Sequence, residues 1–136
     1  ALQPIFEEVH VDGKLVLVVE IKSSAIKPHY ALDEHKKWWV YFRVDDKSGL
    51  ASKILVDILK KGNHPNGQLI TYTEDEKKLF TYLGLEGRIT LKQFSKLTRL
   101  SYKHAQKILV NMVLSGVLRP HPSEKEEYFT MVESRK

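Results

Sequence analysis

Four polar side chains between residues 103 and 111 have the types and spacing to hold a polyanion. Lys103, Gln106, Lys107 and Asn111 follow one another at intervals of three, one and four residues, which gathers them on one side of a helix. The two ammonium groups suit phosphate oxygens, and each amide can donate and accept at a base edge. Tyr102 and Arg99 stand just before this run, and Arg119 and Lys125 follow it. The chain carries Arg88, Lys92, Lys96, Arg99, Lys103, Lys107 and Arg119 with no acidic residue among them. Such a segment is the electrostatic footprint of a surface that meets a polyanion. An ordinary solvated helix face is the alternative, since Lys and Gln populate most exposed helices.

Other chemistries find less support. The stretch DDKSGLAS, residues 45–52, lacks the spacing and the leading glycine of a phosphate-cradling nucleotide loop. The six histidines, at positions 10, 29, 35, 64, 104 and 121, have neither the i, i+4 nor the His-x-His spacing of a metal site, and cysteine is absent. No catalytic residue, metal or cofactor is therefore assigned. Glu20, an acid within an apolar strand, reads as an exposed or edge position. Trp38, Trp39, Tyr41 and Phe42, with Arg43, offer either stacking platforms for single-stranded nucleic acid or a strand with core on one face and an interface on the other.

A chain of 136 residues holds one ordinary domain or two small ones. Its net charge of +5, pI near 9.3, 42% hydrophobic and 29% charged residues fit a folded soluble protein. No apolar run approaches the roughly 20 residues that span a bilayer. LVLVVEI is short and broken by Glu20, and the absence of cysteine suits a reducing compartment. A cytoplasmic protein without a membrane partner is the expectation.

The elements that must position these residues can be read in order. Strands are expected near residues 4–11 and 14–22 around the hairpin signal Asp12-Gly13, and again over residues 38–44. Apolar positions 50, 51, 54, 55, 58 and 59 then mark a helix, with Ser48 as its cap. Periodicity stops at KGNHPNGQ, residues 61–68, and the boundary is set there, giving domains 1–66 and 67–136. Thr73 with Glu76, and Thr90 with Gln93, form capping boxes that open two helices. The third helix runs from its cap Ser101 to Gly116, burying Ala105, Ile108, Leu109, Met112 and Val113. Val110 and Leu114 fall outside that stripe and require a second apolar contact, either with the first part of the chain or across a dimer. A closing hairpin is expected from Val117 to Met131.

The pattern T-L-x-x-F-x-x-L followed by LSYKHAQKILVNMVLSGVL, between a capped helix and a hairpin, resembles a winged helix-turn-helix domain. The resemblance implies that residues 101–115 enter a DNA major groove and that the hairpin contacts the backbone or minor groove. Pro4, VLVVEI, KPHY and YFRV, with the turn leading into Ala51, resemble the second half of a Schlafen-type AlbA-like domain, a family described as DNA-binding or ATP-binding. The family's opening half has no counterpart here, and DDKSG departs from its Gly-Ser-Ser/Thr turn. The pairing is similar to bacterial transcriptional regulators.

The expectation is thus an α+β protein: a partial α/β sheet domain followed by a winged helix-turn-helix. It is read as an oligomeric regulator that binds duplex DNA through Arg99, Tyr102, Lys103, Gln106, Lys107, Asn111, Arg119 and Lys125, its N-terminal part serving to oligomerise or to sense a ligand. The alternatives are a piece of an RNA-processing or nucleotide-using enzyme, and a winged helix that binds another protein.

Overall fold

The computed structural model describes residues 2–62 and 72–133, and within them the chain is mixed α and β. It opens with an antiparallel hairpin of β1 (Ile5–Val11) and β2 (Lys14–Glu20), turning through Asp12 and Gly13. Both turn residues have positive φ, the mirror-image turn whose twist matches the flanking strands. Both faces of this hairpin are apolar and exposed, including Phe6, Leu15, Val16, Leu17 and Val18. Sequence alone makes β2 an inner strand of a sheet; among the described residues it pairs with β1 only.

The aromatic stretch at 38–44 is not one strand. β3 (Ala31–Leu32) pairs with β4 (Trp38–Trp39), whereas β5 (Tyr41–Val44) pairs with β6 (Lys47–Leu50). The chain changes partner at Val40, which is buried and whose carbonyl accepts from the Ala51 N–H at 2.8 Å. Trp39 Nε1 donates to Asp33 at 2.7 Å, and the Lys37 and His35 N–H groups donate to the same carboxylate. These bonds hold the β3–β4 turn and keep the Asp33 carboxyl below its usual pKa, with the Lys37 N–H contributing most. A Cβ at Gly49 would lie 2.8 Å from the Phe42 ring, so a larger residue there would have to displace that ring.

α1 (Lys53–Lys61) is capped by Ser52, whose hydroxyl accepts from the Leu55 N–H. Ser48, the expected cap, lies instead in β6. The expected boundary at residues 66 and 67 falls outside the described residues. α2 (Glu74–Glu86) and α3 (Leu91–Thr98) each begin with a complete capping box, Thr73 with Glu76 and Thr90 with Gln93. Each box satisfies two backbone donors that a helix start otherwise leaves open. α4 (Tyr102–Leu114) follows its cap Ser101, and Arg99, left-handed at φ 60°, makes the tight turn between α3 and α4. β7 (Leu118–His121) and β8 (Tyr128–Met131) form the last hairpin. Ile89 and Phe129 exchange backbone hydrogen bonds at 2.8 and 3.0 Å, tying that hairpin to the chain between α2 and α3.

One core joins these elements. Leu79 and Leu83 of α2, Phe94 of α3, Leu109, Val110 and Met112 of α4, and Leu118 and Phe129 of the hairpin are buried together with Ile54 and Ile58 of α1. Burying each such side chain contributes roughly 1.5–3 kcal/mol against exposure. The second apolar contact required by Val110 is supplied by α1, from the first part of the same chain.

Candidate nucleic-acid interface

α4 has polar side chains free only along its first half. Tyr102, Lys103, His104 and Lys107 are exposed, and Tyr102 keeps 55% of its surface in solvent. Beyond Ile108 every side chain of the helix is buried or half-buried. Asn111 is half-buried, so it stands apart from the exposed cluster at the helix start. Gln106 is also half-buried and is already engaged, its Nε2 donating to Asp57 of α1 at 2.9 Å.

α1 therefore forms a second wall beside α4. Lys53, Asp57 and Lys61 recur at four-residue intervals along one face of α1, opposite Lys103, Gln106 and Lys107. Tyr102 and Val110 complete this groove of about 370 Å³. Three ties fix α1 in place. Ile54 and Ile58 share the core with Leu109 and Val110, Asp57 accepts from Gln106, and Ser52 donates to Glu127 Oε1 at 2.8 Å. Burial raises the Glu127 pKa, against the Ser52 hydrogen bond, which lowers it. Sequence reasoning missed Lys53 and Lys61. Their spacing around Asp57 was visible, but nothing in the sequence placed that stripe beside residue 103.

The remaining expected residues lie elsewhere. Arg99 is exposed in the α3–α4 turn. Arg119 shares the outer face of the β7–β8 hairpin with His121, Tyr128 and Thr130, as the pairing register dictates. There His121 stacks on Tyr128 with centroids 4.7 Å apart and shares a 2.7 Å hydrogen bond with Thr130, while the Arg88 guanidinium lies 5.1 Å from the Tyr128 ring centre. Partial burial, and then the positive charge of Arg119, lower the His121 pKa. Lys125 sits near the hairpin tip, beside the β5–β6 turn with Asp45 and Asp46. The eight residues thus divide into an exposed helix-start cluster, the half-buried Gln106 and Asn111, a turn, an outer hairpin face and a hairpin tip.

Among the described residues no group of three or more His, Asp or Glu side chains is arranged to hold a metal ion, and no helix is long and apolar enough to cross a membrane. No protein-family model, curated protein or solved structure matches the chain.

Proposed function

We propose that residues 73–131 form a winged helix-turn-helix and that the protein is a DNA-binding regulator. The observation that carries this reading is the order and packing of three capped helices and a hairpin: α3 and α4 meet across the Arg99 turn, and the hairpin pairs with Ile89. This leaves the start of α4 exposed, the part of a recognition helix that meets base edges in helix-turn-helix proteins. Tyr102, Lys103 and Lys107 are its contacts, Arg99 supports them from the turn, and Arg119 and Lys125 act from the wing.

Duplex affinity measured against salt tests the reading. Changing Lys103 or Lys107 to Ala removes one phosphate neutralisation and makes the slope of log affinity against log salt shallower by about 0.9. A flat dependence in the unaltered protein removes the proposal.

The likeness of the first part to the second half of a Schlafen-type AlbA-like domain stands as part of the same proposal, with assembly as its role. The specific observation favouring assembly over ligand sensing is the β1–β2 hairpin, apolar on both faces and uncovered. Sedimentation across a concentration series checks it: a mass that stays monomeric rules out self-assembly.

A further inference from the structure

We infer that α1 is part of the DNA-contacting surface: the groove between α1 and α4 holds the phosphate backbone of the duplex that α4 engages. The inference rests on the duplex-binding reading above and adds Lys53 and Lys61 to it, residues outside the helical unit that the resemblance covers.

Three observations point to a phosphodiester occupant. First, the groove is lined by four lysines and one carboxylate. Among the described residues none of these ammonium groups has an ion-pair partner. Second, Asp57, the one acid that could neutralise them, is half-buried and accepts from Gln106 at 2.9 Å, which holds it at the groove floor. Third, the lysines are spread along the groove. Lys53 and Lys61 stand about 12 Å apart along α1, and Lys103 and Lys107 about 6 Å apart along α4, from the rise of 1.5 Å per residue. A line of charges suits an extended polyanion better than a compact anion, which would leave the outer lysines empty. The Tyr102 ring and the exposed edge of the groove supply an apolar rim for sugar.

The Asp57–Gln106 bond has a consequence for selectivity. With its amide engaged by α1, Gln106 orients the groove floor rather than reading a base. α1 therefore contributes phosphate contacts, which position the duplex, and withholds one residue from sequence readout.

The test uses the full chain and a labelled mixed-sequence duplex of about 24 base pairs, with affinity followed against salt. Lys53 and Lys61 are exposed, so the double variant K53Q/K61Q retains the fold, which circular dichroism verifies. Its log–log slope is expected to be shallower than that of the unaltered protein by about 1.8, the effect of two phosphate contacts. D57N keeps an acceptor oxygen for Gln106 and removes a negative charge from the groove. It is expected to bind about fivefold more tightly. An unchanged slope in K53Q/K61Q, or no gain in D57N, overturns the inference while binding by the unaltered protein leaves the duplex reading intact. Absence of salt-dependent binding by the unaltered protein overturns the duplex reading itself, and this inference with it.

Discussion

Ile54→Ala is the perturbation that most directly asks whether α1 belongs to the same cooperative unit as α2–α4. Ile54 is only 3% exposed and lies in one cluster with Leu109 and Val110. Truncating a buried Ile to Ala costs about 2–5 kcal/mol, from lost transfer energy and from the cavity left behind. α1 is a short helix packed along one seam, so it can settle into the gap, and the lower part of that range applies: about 2–3 kcal/mol. This corresponds to a fall of about 10–20 °C in Tm for a unit of this size. Thermal melting by far-ultraviolet circular dichroism gives the first reading, and amide hydrogen exchange gives the decisive one. If the unit is cooperative, the slowest-exchanging amides of α3 and α4, such as those of Phe94 and Leu109, speed up by about 30- to 150-fold together with those of α1. If α1 alone exchanges faster and Phe94 and Leu109 keep their protection, α1 is a detachable flap and the single-core reasoning fails. Lys53→Ala, on the exposed side of α1, serves as the control.

Thr90→Ala removes one half of a capping box and should cost about 1 kcal/mol in chemical denaturation, without altering duplex affinity beyond what unfolding explains. Arg99→Gly relieves a left-handed backbone and removes a cation, so stability should rise by about 1 kcal/mol while duplex binding weakens; a loss of stability would contradict the turn geometry. Glu127 has a folded pKa above its unfolded value, so the folded state binds more protons just above pH 4.5 and this group favours folding as pH falls through that window. Denaturation across that window should show Glu127→Gln lacking this contribution. His121 has a folded pKa below its unfolded value of 6.5, so its contribution is full above that value and is lost as pH falls toward the folded pKa; His121→Asn should flatten stability there.

Local chemistry made part of this molecule legible. The capping boxes at Thr73 and Thr90, the Asp12-Gly13 turn and the buried stripe through Ala105, Leu109 and Met112 are all set by residues within a few positions of one another. What could not be read depends on partners distant in sequence. Ser52 rather than Ser48 caps α1, and its hydroxyl is held by Glu127 from the last hairpin. The 38–44 stretch divides because Val40 is buried and its neighbours pair with two different strands, a break that uninterrupted apolar alternation conceals. At the candidate site the spacing of residues 103–111 marks a polar helix face, of which Lys103 and Lys107 are exposed. It carries no sign that Gln106 would be engaged by Asp57 or that Lys53 and Lys61 would stand opposite.

The ties that hold α1 also bear on the order of folding. Asp57 and Gln106 are 49 residues apart, and Ser52 and Glu127 are 75 apart. Closing loops of that length costs chain entropy that the short-range packing of α3 on α4 does not incur. α1 should therefore dock after the transition state, so its contacts govern how slowly the protein unfolds rather than how fast it folds. Ile54→Val should accelerate unfolding in stopped-flow measurements and leave the refolding rate nearly unchanged, whereas an equally slowed refolding rate would place α1 in the nucleus. The lifetime of the folded state, and with it that of the lysine-lined groove, then rests on the helix contributed from farthest away along the chain.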